Sequence, residues 1–193
     1  METRTRKRPA LERVVRTADR LFYERGLHET GVDTIAAEAD VSKATMYTYF
    51  PSKDDLVAEY LRGRSSAWRD VVAERFAAHE GDARSKALLV FDLLGEWFAA
   101  GGFNGCPFIN AEAESDASSP AHAVNLEHRG WALGLFDGLL AEAGASPKRR
   151  DPAALALVML YDGCMVGAHT RPDLAWAASA RVAAAAIFDS AVG

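Results

Sequence analysis

Residues 30–53, TGVDTIAAEADVSKATMYTYFPSK, decide the reading of this chain. Val32, Ile35, Ala36 and Ala39 recur at helical spacing, Asp40-Val41 interrupts the run, and a second short helix begins near Ser42 and carries Met46, Tyr47 and Phe50. Two short helices joined by a tight turn form a helix-turn-helix, the geometry that lays a second helix in the major groove of DNA. The exposed positions of that second helix would be Lys43, Ala44, Thr45, Thr48 and Tyr49. They suit a groove: a cation, hydroxyls for bases or phosphates, a small residue permitting close approach, and an aromatic ring with a polar tip.

Charge is distributed to match. The 193-residue chain has a formal net charge of −5, yet residues 1–53 hold ten Lys/Arg against eight Asp/Glu, or +2, which leaves −7 for residues 54–193. The basic excess is densest in Arg4, Arg6, Lys7 and Arg8, an arm without apolar periodicity that is expected to be disordered in the free protein. A protein that coats nucleic acid over its whole surface would be basic throughout.

From Leu11 onward the pattern is helical, with Gly and Pro between the helical runs. The first helix is predicted over about residues 10–25 and stops at Gly26. A long fourth helix opens at Ser52-Lys53-Asp54-Asp55, where Ser52 suits the N-cap and the aspartates complement the helix dipole. Further helices are predicted at about 83–100, 107–115, 120–143, 152–169 and 172–190. The expected architecture is all-α: a DNA-binding head at 1–53 with its basic arm, and a larger helical body for ligand binding and dimerisation at 54–193. Small residues on the last two helices, with Gly163, Gly167 and Ala168 on one and Ala178, Arg181, Val182, Ala185 and Phe188 on the other, mark a candidate face for a four-helix dimer interface.

The N-terminal 55 residues resemble the TetR/AcrR family of bacterial transcriptional regulators. The likeness rests on a first helix ending in FYERG, 22–26, and on TGVDTIAAEADVSKATMYTYFPSKDDL, 30–56. It implies that Lys43, Ala44, Thr45 and Thr48 face base edges or nearby phosphates, and that Ser42, Tyr47, Tyr49 and Lys53 bind the DNA backbone. Asp40 stands where the family usually has glycine, and aspartate tolerates the left-handed conformation such a turn needs. Gly31 and Asp33 also depart from the small hydroxyl and basic residues often found there. The resemblance further implies a homodimer on a palindromic double-stranded operator and a small-molecule effector in the body whose binding releases a repressor.

For the effector the body offers Trp97, Phe103, Trp131, Tyr161 and Met165 as apolar lining, with Cys106 and Asn110 as polar partners. Phe91, Phe98, Phe108 and Phe136 are further apolar candidates, and Glu114, His128 and His169 further polar ones. The segment GFNGCPFINAEAE, 102–114, breaks the backbone at Gly102, Gly105 and Pro107 and sets Cys106 just before a short helix, where a thiol can become reactive. An electrophile- or redox-sensing regulator acting through Cys106 is therefore one alternative; a helical ligand-binding protein without DNA binding is another.

Catalytic motifs are absent from the sequence: there is no HExxH, no glycine-rich phosphate loop and no nucleophile elbow, and the five histidines are dispersed. No enzymatic activity, metal or cofactor is expected. The charged N-terminus and the lack of a stretch of about 20 apolar residues predict a cytoplasmic protein without a membrane partner, and its two cysteines, Cys106 and Cys164, are expected as free thiols.

Overall fold

The computed structural model describes the chain from Lys7 to Gly193, with side chains from Pro9 onward. Arg4 and Arg6 of the basic arm lie outside the described residues. Nine helices and no strand are present among the described residues: α1 Lys7–Arg25, α2 Val32–Glu38, α3 Lys43–Tyr49, α4 Lys53–Ala77, α5 Ala83–Ala99, α6 Pro107–Glu114, α7 Pro120–Glu142, α8 Pro147–Thr170 and α9 Trp176–Val192. Sequence and structure part at three helix starts: α1 takes in Lys7 and Arg8, expected in a disordered arm, α9 begins at Trp176 rather than near 172, and α8 begins before its expected start. Pro152 lies inside this helix, which begins instead at Pro147, with Ser146 in extended conformation before it. Pro147 at the first helical position forfeits little, because the first turn's N–H groups have no intrahelical acceptor, whereas Pro152, a turn further on, gives up one bond of the helical ladder.

The chain divides into two compact units. The first comprises residues up to Ser66 together with Pro107–Leu126, and the second comprises Ala67–Cys106 and Glu127–Gly193. These units do not coincide with a cut at 53/54: residues 54–66 of α4, all of α6 and the start of α7 belong with the helix-turn-helix.

In the first unit the apolar stripe of α1 (Val14, Ala18, Leu21) is fully buried with Ile35 of α2, Met46 of α3 and Leu56 and Leu61 of α4. Caps hold the short helices. Ser42 Oγ accepts the Thr45 N–H at 3.0 Å, and at the head of α4 Ser52 Oγ accepts the Asp55 N–H while Asp55 Oδ2 accepts the Ser52 N–H, each at 3.1 Å. Such reciprocal caps satisfy amides that have no intrahelical partner. Arg64 fastens α4 to α1: its guanidinium donates two bonds to Asp19, at 2.6 and 3.0 Å, and lies over the Tyr23 ring 4.1 Å from the centroid.

The second unit is built on α5, α8 and α9. Phe91 and Phe136, considered for a ligand cavity on sequence grounds, are fully buried and stacked on each other with centroids 6.0 Å apart, so they are core. Phe188 and Ala168, assigned to an intermolecular face, are also buried within the unit. Gly167 has an internal reason to be glycine, since a Cβ there would meet the Trp176 indole at 2.4 Å.

Candidate functional site

The helix-turn-helix has the geometry its sequence implies. The turn passes through Asp40, the one non-glycine residue with positive φ among those described, at +51°. Arg13 of α1 steadies this turn by donating to the carbonyls of Ala39 at 2.9 Å and Asp40 at 3.2 Å. On α3, Met46 is the buried anchor, whereas Lys43, Ala44, Tyr47 and Thr48 are exposed and Thr45 and Tyr49 half-buried. Tyr47 thus belongs to the outer face, not to the apolar stripe with Met46 and Phe50. Several candidate contact groups are already occupied within the molecule. Thr45 Oγ1 lies 2.8 Å from Ser42 Oγ, the Thr48 hydroxyl donates to the Ala44 carbonyl at 2.9 Å, and Lys53 Nζ donates to the Leu27 carbonyl at 2.5 Å. Lys43 Nζ sits 2.6 Å from Asp33 Oδ1, and this bond holds the ammonium above its usual pKa range.

Glu114, a polar candidate for a ligand, has a different task. Its carboxylate accepts the backbone N–H groups of Leu27, at 3.4 Å, and His28, at 2.7 Å, so α6 is tied to the loop between α1 and α2 within the first unit. Gly26, whose φ of +84° suits glycine, turns the chain just before these amides. Glu112 turns elsewhere, to His122 Nδ1 at 2.7 Å and to Asn125 Nδ2 at 2.5 Å.

The second unit gathers most of the aromatic candidates. Trp97 packs edge-on against Phe103, centroids 5.0 Å apart; Phe103 in turn touches Phe98 at 4.5 Å and His169 at 6.4 Å. Tyr161 and Met165 are buried one turn apart on α8, the face that carries His169 a further turn on. Burial above all, with Cys106, Asp162 and Cys164 nearby, raises the Tyr161 phenol well above its usual pKa. Trp131 lies apart from Trp97 and Phe103, against His128 at 5.5 Å and under the Arg69 guanidinium at 5.3 Å. Asn110 is exposed on α6, in the first unit, and is not a member of this aromatic cluster.

Two residues of α4 were missed in the sequence, Trp68 beside Trp97 and Arg69 beside Trp131. Trp68 packs on Trp97 with centroids 5.8 Å apart. Its indole lies near enough to the Tyr161 hydroxyl to favour the ionised phenol, yet neither Trp68 Nε1 nor Arg69 Nε has a hydrogen-bond partner of normal geometry, and both atoms are buried. Their signal was present: a Trp-Arg pair on an apolar helix stripe is more than a linker needs. Burial, then the charges of Arg69 and Arg129, push the His128 imidazole down to about 4, so it is neutral at physiological pH.

Cys106 immediately precedes α6, after a backbone break in which Gly101, Gly102 and Gly105 all take positive φ. It is only 6% exposed, which denies reagents the access a sensing thiol needs. Cys164 is buried too, and burial pushes its thiol up to about 12.

Residues 14–60 match the family model for bacterial regulatory proteins of the tetR family. Over nearly its whole length the chain is similar to the crystal structure of a TetR-family transcriptional regulator from Streptomyces coelicolor: 32% identity, a TM-score of 0.86, and 96% of this chain against 97% of that one. The chain belongs to the TetR family of transcriptional regulators. This TetR-family chain is also 26% identical over 140 residues to the fatty acid metabolism regulator protein of Bacillus subtilis, covering 70% of this chain and 69% of that protein. It shares its fold with the B. subtilis regulator FadR, whose structure contains stearoyl-CoA, at a TM-score of 0.73 and 16% identity over 95% of this chain and all of that one. The family's helix-turn-helix and helical body are therefore those of this protein. Its α8 is long and apolar enough by composition to cross a membrane, but half of that apolar window is buried inside the fold.

Proposed function

We propose that this regulator is a homodimeric repressor that reads a palindromic operator through α3 and is released when a small molecule fills the aromatic cluster of its second unit. The observation that carries the reading is the outer face of α3, where Lys43, Ala44, Tyr47 and Thr48 are exposed around a buried Met46. Lys43, Ala44, Thr45 and Thr48 meet base edges or adjoining phosphates; Ser42, Tyr47, Tyr49 and Lys53 serve the backbone. Functionally, residues 1–53 form the DNA-binding part and 54–193 the sensing and dimerising part. Dimerisation is supported by an apolar stripe on α8, where Leu155, Met159 and Val166 fall within a narrow arc of the helix and are 55%, 66% and 50% exposed, and by Val182 on α9 at 72%.

The effector is an apolar molecule bearing a carbonyl or carboxylate oxygen. Trp97, Phe103, Tyr161 and Met165 supply apolar surface, and the buried Trp68 Nε1, which has no acceptor of normal geometry, supplies a donor that a ligand oxygen would satisfy. Release is a population shift: a ligand that prefers the non-binding dimer by about 3 kcal/mol lowers operator occupancy by up to ~100-fold.

Selection of random and upstream DNA by the purified protein, repeated with Lys43→Ala, tests the reading. A palindrome recovered by the wild type and lost in the variant supports it. Retention of no sequence by either protein would favour a helical ligand-binding protein that does not regulate through DNA.

A further inference from the structure

Among the candidate contact residues, Lys43 carries a formal charge on the outer face of α3, and that charge is neutralised from within the motif. Asp33, in the first turn of α2, reaches across the turn to place Oδ1 2.6 Å from Lys43 Nζ. Both partners are open to solvent, the lysine side chain at 55% and the aspartate at 77%, so phosphate oxygens of an approaching duplex can compete for the ammonium.

We propose that Asp33 is a specificity-determining residue that restrains Lys43 and so suppresses binding to DNA of indifferent sequence. The argument is one of charge and counterions. An unpaired lysine at the groove wall gains affinity for any duplex, because each neutralised phosphate releases about 0.9 of a condensed cation whatever the bases are. A lysine already paired with a carboxylate gains less, since its charge is offset until phosphate displaces the carboxylate, and the pair must be broken first. Only a site where other contacts hold the helix in register compensates for breaking the pair. Like-charge juxtaposition against incorrect partners is a general route to specificity, and here it would act on phosphate-only complexes. The proposal rests on the assignment of α3 to the DNA surface.

Full-length wild type, Asp33→Asn, Asp33→Glu, Lys43→Ala and the double variant would be titrated with a random-sequence duplex across a salt series, after thermal melts show that each is folded. Asp33→Asn should bind this DNA about five- to tenfold more tightly near 0.1 M salt, with a log–log salt slope steeper by about 0.9. Asp33→Glu should resemble the wild type, and the double variant should show none of the gain. Unchanged affinity and slope in Asp33→Asn would overturn the proposal, as would an equal gain in the Lys43→Ala background, which would make Asp33 a simple repulsive charge. Absence of salt-dependent binding by every protein, wild type included, would instead remove the DNA-surface assignment and the proposal with it.

Discussion

At the scale of single residues, backbone conformation and burial give the firmest expectations. Asp40 occupies the left-handed region at φ +51°, where a side chain branched at Cβ clashes with the backbone. Asp40→Val should lower stability by roughly 1–2 kcal/mol and disturb the carbonyls that Arg13 holds. Chemical denaturation would reveal this, and a variant as stable as the wild type would mean the turn relaxes to a right-handed form. His128 makes a pH prediction. Its pKa is lowered from 6.5 to about 4 in the fold, so the unfolded chain binds the extra proton first. The stabilisation from burying the neutral ring is complete above about pH 6.5 and is lost as pH falls toward 4, amounting to about 3 kcal/mol. The groups that bear on the ring are Arg69 of α4 and Arg129 of α7, the latter bound to Asp162 of α8 at 2.5 Å. Stability measured from pH 7 to pH 4 should therefore fall less steeply in His128→Gln than in the wild type.

Among elements, the contacts that position helices were mostly illegible in the sequence, although the helices were not. Periodicity and punctuation located α1 to α7 closely because Gly26, Asp40, Ser52 and the glycines at 101, 102 and 105 mark real breaks or caps. Nothing in the local pattern showed that Glu114 would accept two amides from a loop 86 residues earlier, since a lone glutamate on a short helix usually faces water. Nor did a small residue on α8 disclose whether its neighbour was another subunit or the chain itself. Gly167 accommodates the Trp176 indole, whose Nε1 donates to the Arg171 carbonyl at 2.9 Å. Gly167→Ala, despite the better helix propensity of alanine, should destabilise by about 1–3 kcal/mol through overpacking. A thermal melt that rises for this variant would show that the indole can swing aside without loss.

Assembly and effector response belong to the whole molecule. With Met159 and Val182 exposed and apolar, a charge at either should keep protomers apart: Met159→Glu is expected to sediment as a folded monomer and to lose operator affinity by a large factor, because each half-site then binds alone. Persistence of the dimer would move the interface away from this stripe. For the body, titration with aliphatic or aromatic carboxylates and their thioesters should change tryptophan emission from Trp68 and Trp97 and release DNA, and Trp68→Phe should weaken the ligand by about 1–3 kcal/mol if its indole N–H meets the ligand oxygen. The sequence by itself determined the all-helical class, the helix-turn-helix and the outward placing of Lys43, Ala44 and Thr48, though not that of Tyr47, because caps, turns and apolar periodicity act over neighbouring residues and the motif is compact enough to be read from them. Tertiary structure alone decided which aromatics became core and which joined the cluster around Trp97, that α6 packs with the first unit's helices, and that Lys43 is paired with Asp33. Each of those outcomes depends on where side chains distant along the chain come to rest, and hydrophobic burial, being non-directional, leaves that choice to the packing of the whole fold.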